Sequence, residues 1–355
     1  MGACNRKSDI CGRKVYFVRH QPAVFKNIAR MLIRICILYP GSMYLCIMTT
    51  VKRYLSLVKF SHTIFAMPFA MIGFALGVYR FPSGQQGSMN QTVGWGHAIT
   101  NLIFWERNVK LFLLVIFCMI FARSAAMAFN RYLDRHFDAK NPRTAIREIP
   151  SGVIRANSAL WFTIICCVLF MLCSFLINTL CFLLSPVALF VVLGYSYTKR
   201  FTALCHLVLG LGLSLAPIGA YLAVAGRFDW LPVMFSLTVL FWVSGFDIIY
   251  ALQDEEFDKS QHLYSIPAAL GKTKALRVSE ILHLLSALIV IIAGIYGRFG
   301  TAYWLGVAVF AGMLIYQHSI VKPHDLRRVN IAFMTANGIA SVVFSLFVIS
   351  DLFLK

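Results

Sequence analysis

Acidic residues are scarce in this chain. Its 355 residues include 14 Asp and Glu against 33 Lys and Arg, for a net charge of +19, and charged residues of both signs make up only 13%. With 59% apolar residues and a mean hydropathy of +0.74, this is not an ordinary soluble domain, in which about half the residues are apolar. Metal-type cysteine spacing is also missing, since none of the ten cysteines forms a CxxC pair. Cys118, Cys166, Cys167, Cys173 and Cys181 fall inside apolar runs, where a free thiol acts as a small hydrophobe. Neither a zinc site nor a disulfide framework is expected.

What the chain has in abundance is long apolar segments, and about 20 residues of helix cross the hydrocarbon of a bilayer. Nine candidates lie near 62–79, 110–129, 159–177, 180–197, 204–225, 231–250, 279–297, 302–321 and 330–350. Lipid admits only helices or closed barrels, and these runs are too continuous for barrel strands. The expected fold is therefore all-α: a polytopic membrane protein of nine transmembrane helices.

The basic charge follows this topology and does not point to nucleic acid. Arg131, Arg135, Lys140, Arg143, Arg147 and Arg155 crowd the second connection. Lys199 and Arg200, then Lys259, Lys272, Lys274 and Arg277, then Lys322, Arg327 and Arg328 fill every other connection after it. The alternate connections hold few: Arg80 and Arg107, then Arg227, then Arg298. Positive loops face the cytoplasm, so the N-terminus is expected inside and the C-terminus outside.

Residues 1–47 differ from the rest, with eight Lys and Arg, one acid and four cysteines. Their apolar patch is interrupted by Arg34 and Pro40, unlike the unbroken core of a signal peptide. They read as a basic extension before a single membrane domain at 48–355, with Met48 as an alternative start. Residues 81–108 form a polar, Gly-rich outer connection.

Half of the few acids stand in two stretches. "AFNRYLDRHFDAKNPRT" at 128–144 and "GFDIIYALQDEEFDK" at 245–259 together hold seven of the fourteen. Asn130, Asp134 and Asp138 recur every four residues, and Asp247, Tyr250, Asp254 and Asp258 nearly repeat that spacing. Residues four apart share one helix face, so each stretch should form an oxygen-rich ridge at the cytoplasmic end of helix 2 or helix 6. Carboxylates one turn apart repel unless a cation lies between them. Hard oxygen donors suit Mg²⁺, commonly held by one or two carboxylates and by substrate phosphates. Arg143, Arg147, Lys199, Arg200, Lys259 and Lys272 stand nearby to clamp a diphosphate. The surrounding Phe, Leu and Met would supply a channel for a hydrophobic chain.

"NRYLDRHFD" at 130–138 and "DIIYALQDEEFD" at 247–258 resemble the NxxxDxxxD and DxxYxxxDxxxD signatures of the UbiA-type intramembrane prenyltransferases. Arg123, "PRTAIREIPSG" at 142–152 and "YSYTKRFT" at 195–202 resemble that family's context. "FSHTIFAMPFA" at 60–70 and "AMAFNRYLDRHFDAKNPRT" look most like the bacterial 4-hydroxybenzoate polyprenyltransferases of quinone biosynthesis and their menaquinone-pathway relatives. The resemblance covers 48–355 and implies nine helices around a central cavity, capped by the cytoplasmic loops after helices 2 and 6. It implies two Mg²⁺ ions, one on Asn130, Asp134 and Asp138 and the other on Asp247, Asp254 and Asp258. Asp134, Asp138, Asp247, Asp254 and Tyr250 would be the catalytic set, with Tyr250 at the cavity wall beside the allyl group. Arg143, Arg147, Lys199 and Lys259 would hold the diphosphate, and Arg123 would reach into the pocket.

The implied activity is Mg²⁺-dependent transfer of a polyprenyl group from its diphosphate to an aromatic acceptor, within a bacterial inner membrane. The metal and the bases would stabilise charge on the departing diphosphate. The partners are a polyprenyl diphosphate, an aromatic acceptor such as 4-hydroxybenzoate or a menaquinone-pathway precursor, and membrane lipid, with no nucleic acid. A secondary transporter is the alternative from another class. Its ion site belongs near the bilayer midplane on broken helices, whereas these acids stand at helix ends.

Overall fold

The computed structural model describes residues 53–57, 65–80 and 95–354, with the backbone alone over 95–104. Residues 1–47, together with 81–94 of the outer connection, lie outside the described residues. Helix already begins at Trp95, so the second half of the expected polar connection is an extension of the second span.

The helices are labelled in chain order. They are α1 (Met67–Arg80), α2 (Trp95–Lys140), α3 (Ala156–Ile177), α4 (Thr179–Thr198), α5 (Cys205–Ala225), α6 (Trp230–Ala251), α7 (Ile266–Tyr296), α8 (Thr301–Ile320) and α9 (Asn337–Leu354). Over their described residues the expected apolar segments overlap these helices, the last of them beginning in a π-helical stretch at Ile331–Ala336. By length and composition, seven helices can cross a membrane; α1, with 14 described residues, and α8 are not among the seven. The chain is an all-α integral membrane protein. Among the described residues there is no β-strand beyond one isolated bridge, Lys322 with Asp325.

Local chemistry marks the ends of these helices. Asn178 caps α4 by accepting from Cys181 N at 2.8 Å, and its amide donates to Leu222 O on α5 at 2.9 Å. Asp229 caps α6 through Leu231 N, and Ser265 caps α7 through Ala268 N at 3.2 Å. Such caps satisfy backbone donors that the first helical turn leaves unpaired. Gly226 ends α5 with φ +64°, a conformation that costs glycine little.

Consecutive helices pack side by side: α2 on α3, α4 on α5, α5 on α6, α6 on α7, and α8 on α9. α1 closes the arrangement by packing against both α5 and α9. "LGLGLSL" at 209–215, read from sequence, carries small residues at helix-packing spacing. Gly210 bears this out, since a Cβ there would clash with Leu240 O of α6. Gly73 likewise admits the backbone of Pro217 on α5. The main core is aromatic: Phe69, Trp242, Phe310 and Phe344 are fully buried with ring centroids 5.3–6.3 Å apart. Helices α2 and α6 end on the same side of this core, which brings both acidic stretches to one place.

Candidate active site

At the end of α2, Asn130 Nδ2 donates to Asp134 Oδ2 at 3.0 Å, along the predicted ridge. Asp138 is buried one turn on and receives Arg147 Nη1 at 2.6 Å, with Arg131 Nη1 at 4.0 Å. The loop after α2 folds back to make this contact, and Thr144 Oγ1 pins it by donating to Asp138 O at 3.1 Å.

The second ridge differs from the continuous helix face expected of it. Helix α6 stops at Ala251, a 3₁₀ turn covers Leu252–Asp254, and a short helix takes up Glu255–Ser260. The three carboxylates consequently point to different neighbours. Asp247 Oδ2 lies 2.7 Å from His206 Nδ1 of α5. Asp254 faces the loop after α2, where Arg143 grips both of its oxygens and Asn141 Nδ2 donates at 3.4 Å. Arg143 Nη1 also donates to Tyr250 Oη at 2.9 Å. Asp258 is wholly buried, 2.7 Å from Lys199 Nζ, and accepts Ser265 Oγ at 2.9 Å.

These residues line one cavity of about 270 Å³. It gathers Arg123, Asn130, Asp134, Asp138, Arg143, Arg147, Lys199, Asp247, Tyr250, Asp254 and Asp258. Lys272 and Lys259 are the exceptions among the sequence candidates: Lys272 lies 3.9 Å from Glu255 and outside the cavity lining. Lys259 sits on the outer side of the short helix, paired with Glu255 at 2.6 Å, and does not line the cavity. The break in the second ridge rotates it away. Asn141, Tyr195, Arg200 and His206 also line the cavity and stand outside both signatures, and Arg131 lines it from an unspecified position of the first. Arg200 was legible as a base beside Lys199; its guanidinium reaches Asp134 Oδ1 at 3.6 Å.

Two of the bases, Lys199 and Arg143, are held in their charged forms by the groups they pair with. Burial alone would lower the Lys199 ammonium, but Asp258 beside it outweighs this and raises it above the ordinary lysine value. Burial likewise opposes the Arg143 charge, and Asp254 and Tyr250 reverse the balance.

A second cavity, about 330 Å³ and almost wholly apolar, lies between α2, α3, α4 and α5. It shares Arg123, Tyr195, Leu209 and Leu213 with the polar one, so the two adjoin there. It runs to Ile177, Cys181 and Phe228 at the opposite ends of these helices. From Tyr195 to Cys181 along α4 is fourteen residues, about 21 Å at the helical rise. Arg123 at the junction has no carboxylate partner among the described residues, and its Nε is buried without a hydrogen bond.

The family model of the UbiA prenyltransferase family matches residues 92–339. The chain belongs to this family. As a UbiA-family member it is a polyprenyltransferase, and its relatives agree. It is 30% identical over 238 residues to a 4-hydroxybenzoate octaprenyltransferase of Francisella tularensis subsp. novicida, covering 66% of this chain and 84% of that protein. An Aliivibrio fischeri protein of the same name is 29% identical over 275 residues, covering 72% and 91%. The apo structure of a UbiA homologue from Aeropyrum pernix superposes with a TM-score of 0.64 at 26% identity, covering 82% of this chain and 97% of that one. A UbiA homologue from Archaeoglobus fulgidus, solved with DMAPP and Mg²⁺, shares the fold with a TM-score of 0.61 at 19% identity, over 85% of this chain and all of that one.

The donor set of this UbiA-family site can be tested against a metal. Its oxygen donors are carboxylates and the Asn130 amide, a set that suits a hard cation. No three His, Cys, Asp or Glu side chains gather closely enough to cage an ion among the described residues. The Oδ2 atom of Asp138 is buried without a hydrogen-bond partner. The residues fit an ion that takes part of its shell from a diphosphate, as Mg²⁺ commonly does.

Proposed function

We propose that the chain transfers a polyprenyl group from a polyprenyl diphosphate to a carboxylated phenol of the 4-hydroxybenzoate type, releasing diphosphate, as a step in quinone synthesis. The observation that carries this reading is the junction of the two cavities. The acids and bases of one meet the greasy length of the other, matching a diphosphate joined to a long hydrocarbon. Two Mg²⁺ ions would be held by Asn130, Asp134 and Asp138 and by Asp247 and Asp254. Asp258, buried against Lys199 and Ser265, would act from behind them. When bound, the ions would draw negative charge from the departing diphosphate.

Arg143, Arg147, Lys199 and Arg200 would bind the diphosphate and orient its leaving oxygen. As the allylic C–O bond breaks, the electron pair goes to the diphosphate, and these cations stabilise it. The apolar walls exclude water, which would otherwise capture the allyl cation. Tyr250 stands against Phe333, with ring centroids 4.3 Å apart, at the wall of the polar cavity. The acceptor ring attacks through the carbon ortho to its hydroxyl, and loss of that carbon's proton restores aromaticity. Arg123, a guanidinium with no carboxylate partner among the described residues, would take the acceptor's carboxylate. The alternation of basic connections supports a cytoplasmic position for the acidic cavity in a bacterial inner membrane.

Membranes containing the full chain would be incubated with Mg²⁺, a long-chain prenyl diphosphate and 4-hydroxybenzoate, and products read by mass spectrometry. Prenylated 4-hydroxybenzoate that disappears with EDTA is the expected result. Absence of product with this acceptor, alongside product from a different aromatic acceptor, overturns the acceptor assignment.

A further inference from the structure

Asp247 differs from the other acids of the cavity in the kind of partner it keeps. Asp138, Asp254 and Asp258 are each paired with Arg or Lys, and Asp134 has Asn130 with Arg200 at 3.6 Å. No Arg or Lys lies within ion-pair distance of Asp247 among the described residues; its partner is His206 Nδ1 at 2.7 Å. His206 stands in the first turn of α5, 3% exposed, and belongs to neither acidic stretch.

The imidazole is held from both sides. The backbone N–H of Ile266, at the start of α7, points to Nε2 at 3.4 Å. The Nδ1 edge of the ring therefore faces Asp247. The backbone of His206 is fixed too, because Ser244 Oγ of α6 donates to its carbonyl at 3.1 Å. Gly210, one turn on, seats α5 directly against Leu240 and Ser244. One side chain thus links α5, α6 and α7 at a single carboxylate oxygen.

We propose that His206 is a positioning residue: held between α5, α6 and α7, it fixes one oxygen of Asp247 and so orients that carboxylate for a metal–diphosphate. The inference rests on the reading of Asp247 as a metal ligand. An imidazole N–H fixes one oxygen and leaves Oδ1, which has no hydrogen-bond partner among the described residues, for the ligand. Hydrogen-bond partners behind metal ligands commonly set affinity by ten- to a hundredfold.

The test compares two substitutions of similar polarity. In His206→Asn the amide nitrogen falls near the place of Nδ1, whereas in His206→Gln it falls near that of Nε2. Purified full-length protein in detergent would be titrated with Mn²⁺ in the presence of inorganic diphosphate, with free Mn²⁺ read by electron paramagnetic resonance. Asp247→Asn serves as the control for the underlying reading. We expect His206→Gln to weaken Mn²⁺ binding about tenfold or more, and His206→Asn to stay within a few-fold of wild type. In turnover, the Gln variant should raise the apparent KM for Mg²⁺-diphosphate substrate more than it lowers kcat. Equal Mn²⁺ affinity in the Asn and Gln variants, with Asp247→Asn impaired, overturns the positioning role alone. Wild-type affinity in Asp247→Asn overturns the reading of Asp247 as a ligand, and the inference with it.

Discussion

Arg143, in the loop after α2, holds both carboxylate oxygens of Asp254 at the end of α6, 111 residues away in sequence. Its remaining nitrogen donates to Tyr250 Oη at 2.9 Å. One guanidinium therefore joins the two acid-bearing helix ends across the cavity. Its planar fork suits a carboxylate or a phosphate equally, so the same side chain can pass from Asp254 to a diphosphate. Arg143→Lys keeps the charge but not the fork. It should raise the KM for prenyl diphosphate by about tenfold, the cost of one charged hydrogen bond. Steady-state kinetics at fixed acceptor would measure this.

Asp134→Ala and Asp254→Ala should each lower turnover by at least about a hundredfold, as loss of a charge-stabilising group commonly does. Membrane insertion should be unchanged, because both side chains line the cavity and lie outside the packed core. Product formation per unit of membrane-inserted protein is the measurement. Near-wild-type activity in either variant would mean that the ridge holds no metal.

Asp258 should behave differently from Asp254. It is fully buried against Lys199 and Ser265, and Tyr264 N donates to Lys199 O at 2.7 Å in the same knot. Removing one member of a buried ion pair costs about 3–5 kcal/mol, and the partial exposure of Lys199 moves the expectation to the lower end. Asp258→Ala should therefore lower the thermal unfolding temperature in detergent clearly more than Asp254→Ala does.

Arg123→Gln should separate the two substrates. The guanidinium stands where the polar and apolar cavities meet and has no carboxylate partner among the described residues. If it holds the acceptor's carboxylate, the KM for 4-hydroxybenzoate should rise about tenfold or more, with the KM for prenyl diphosphate nearly unchanged. A matched rise in both would assign Arg123 to the diphosphate instead.

At the opposite end of the bundle, Arg80 pairs with Asp229, tying the end of α1 to the start of α6. Burial would raise the Asp229 carboxyl, but the Leu231 N–H and Arg80 outweigh it and hold it below the usual carboxylate range. A depressed folded value means that the pair stabilises the fold above the unfolded pKa of about 4. That stability is lost as pH falls through the folded value. The difference in unfolding temperature between wild type and Asp229→Asn, which keeps a capping oxygen, should be constant near neutrality and shrink below about pH 4.

The sequence by itself determined the class of fold, since apolar length and the alternation of basic connections are local properties that need no partner to be read. It also located the acids: four-residue spacing puts Asn130 beside Asp134 whatever surrounds the helix. The tertiary structure decided which groups stand behind those acids. It broke the second ridge at Leu252–Asp254, carried Lys259 out of the cavity to Glu255, and buried Asp258 against Lys199. It also brought His206 to Asp247 from 41 residues away and Asn141 to Asp254 from 113. These pairings depend on how helices pack across the bundle, through close approaches such as Gly210 against Leu240. Spacing along one helix carries no record of the side chains that a different helix will present to it.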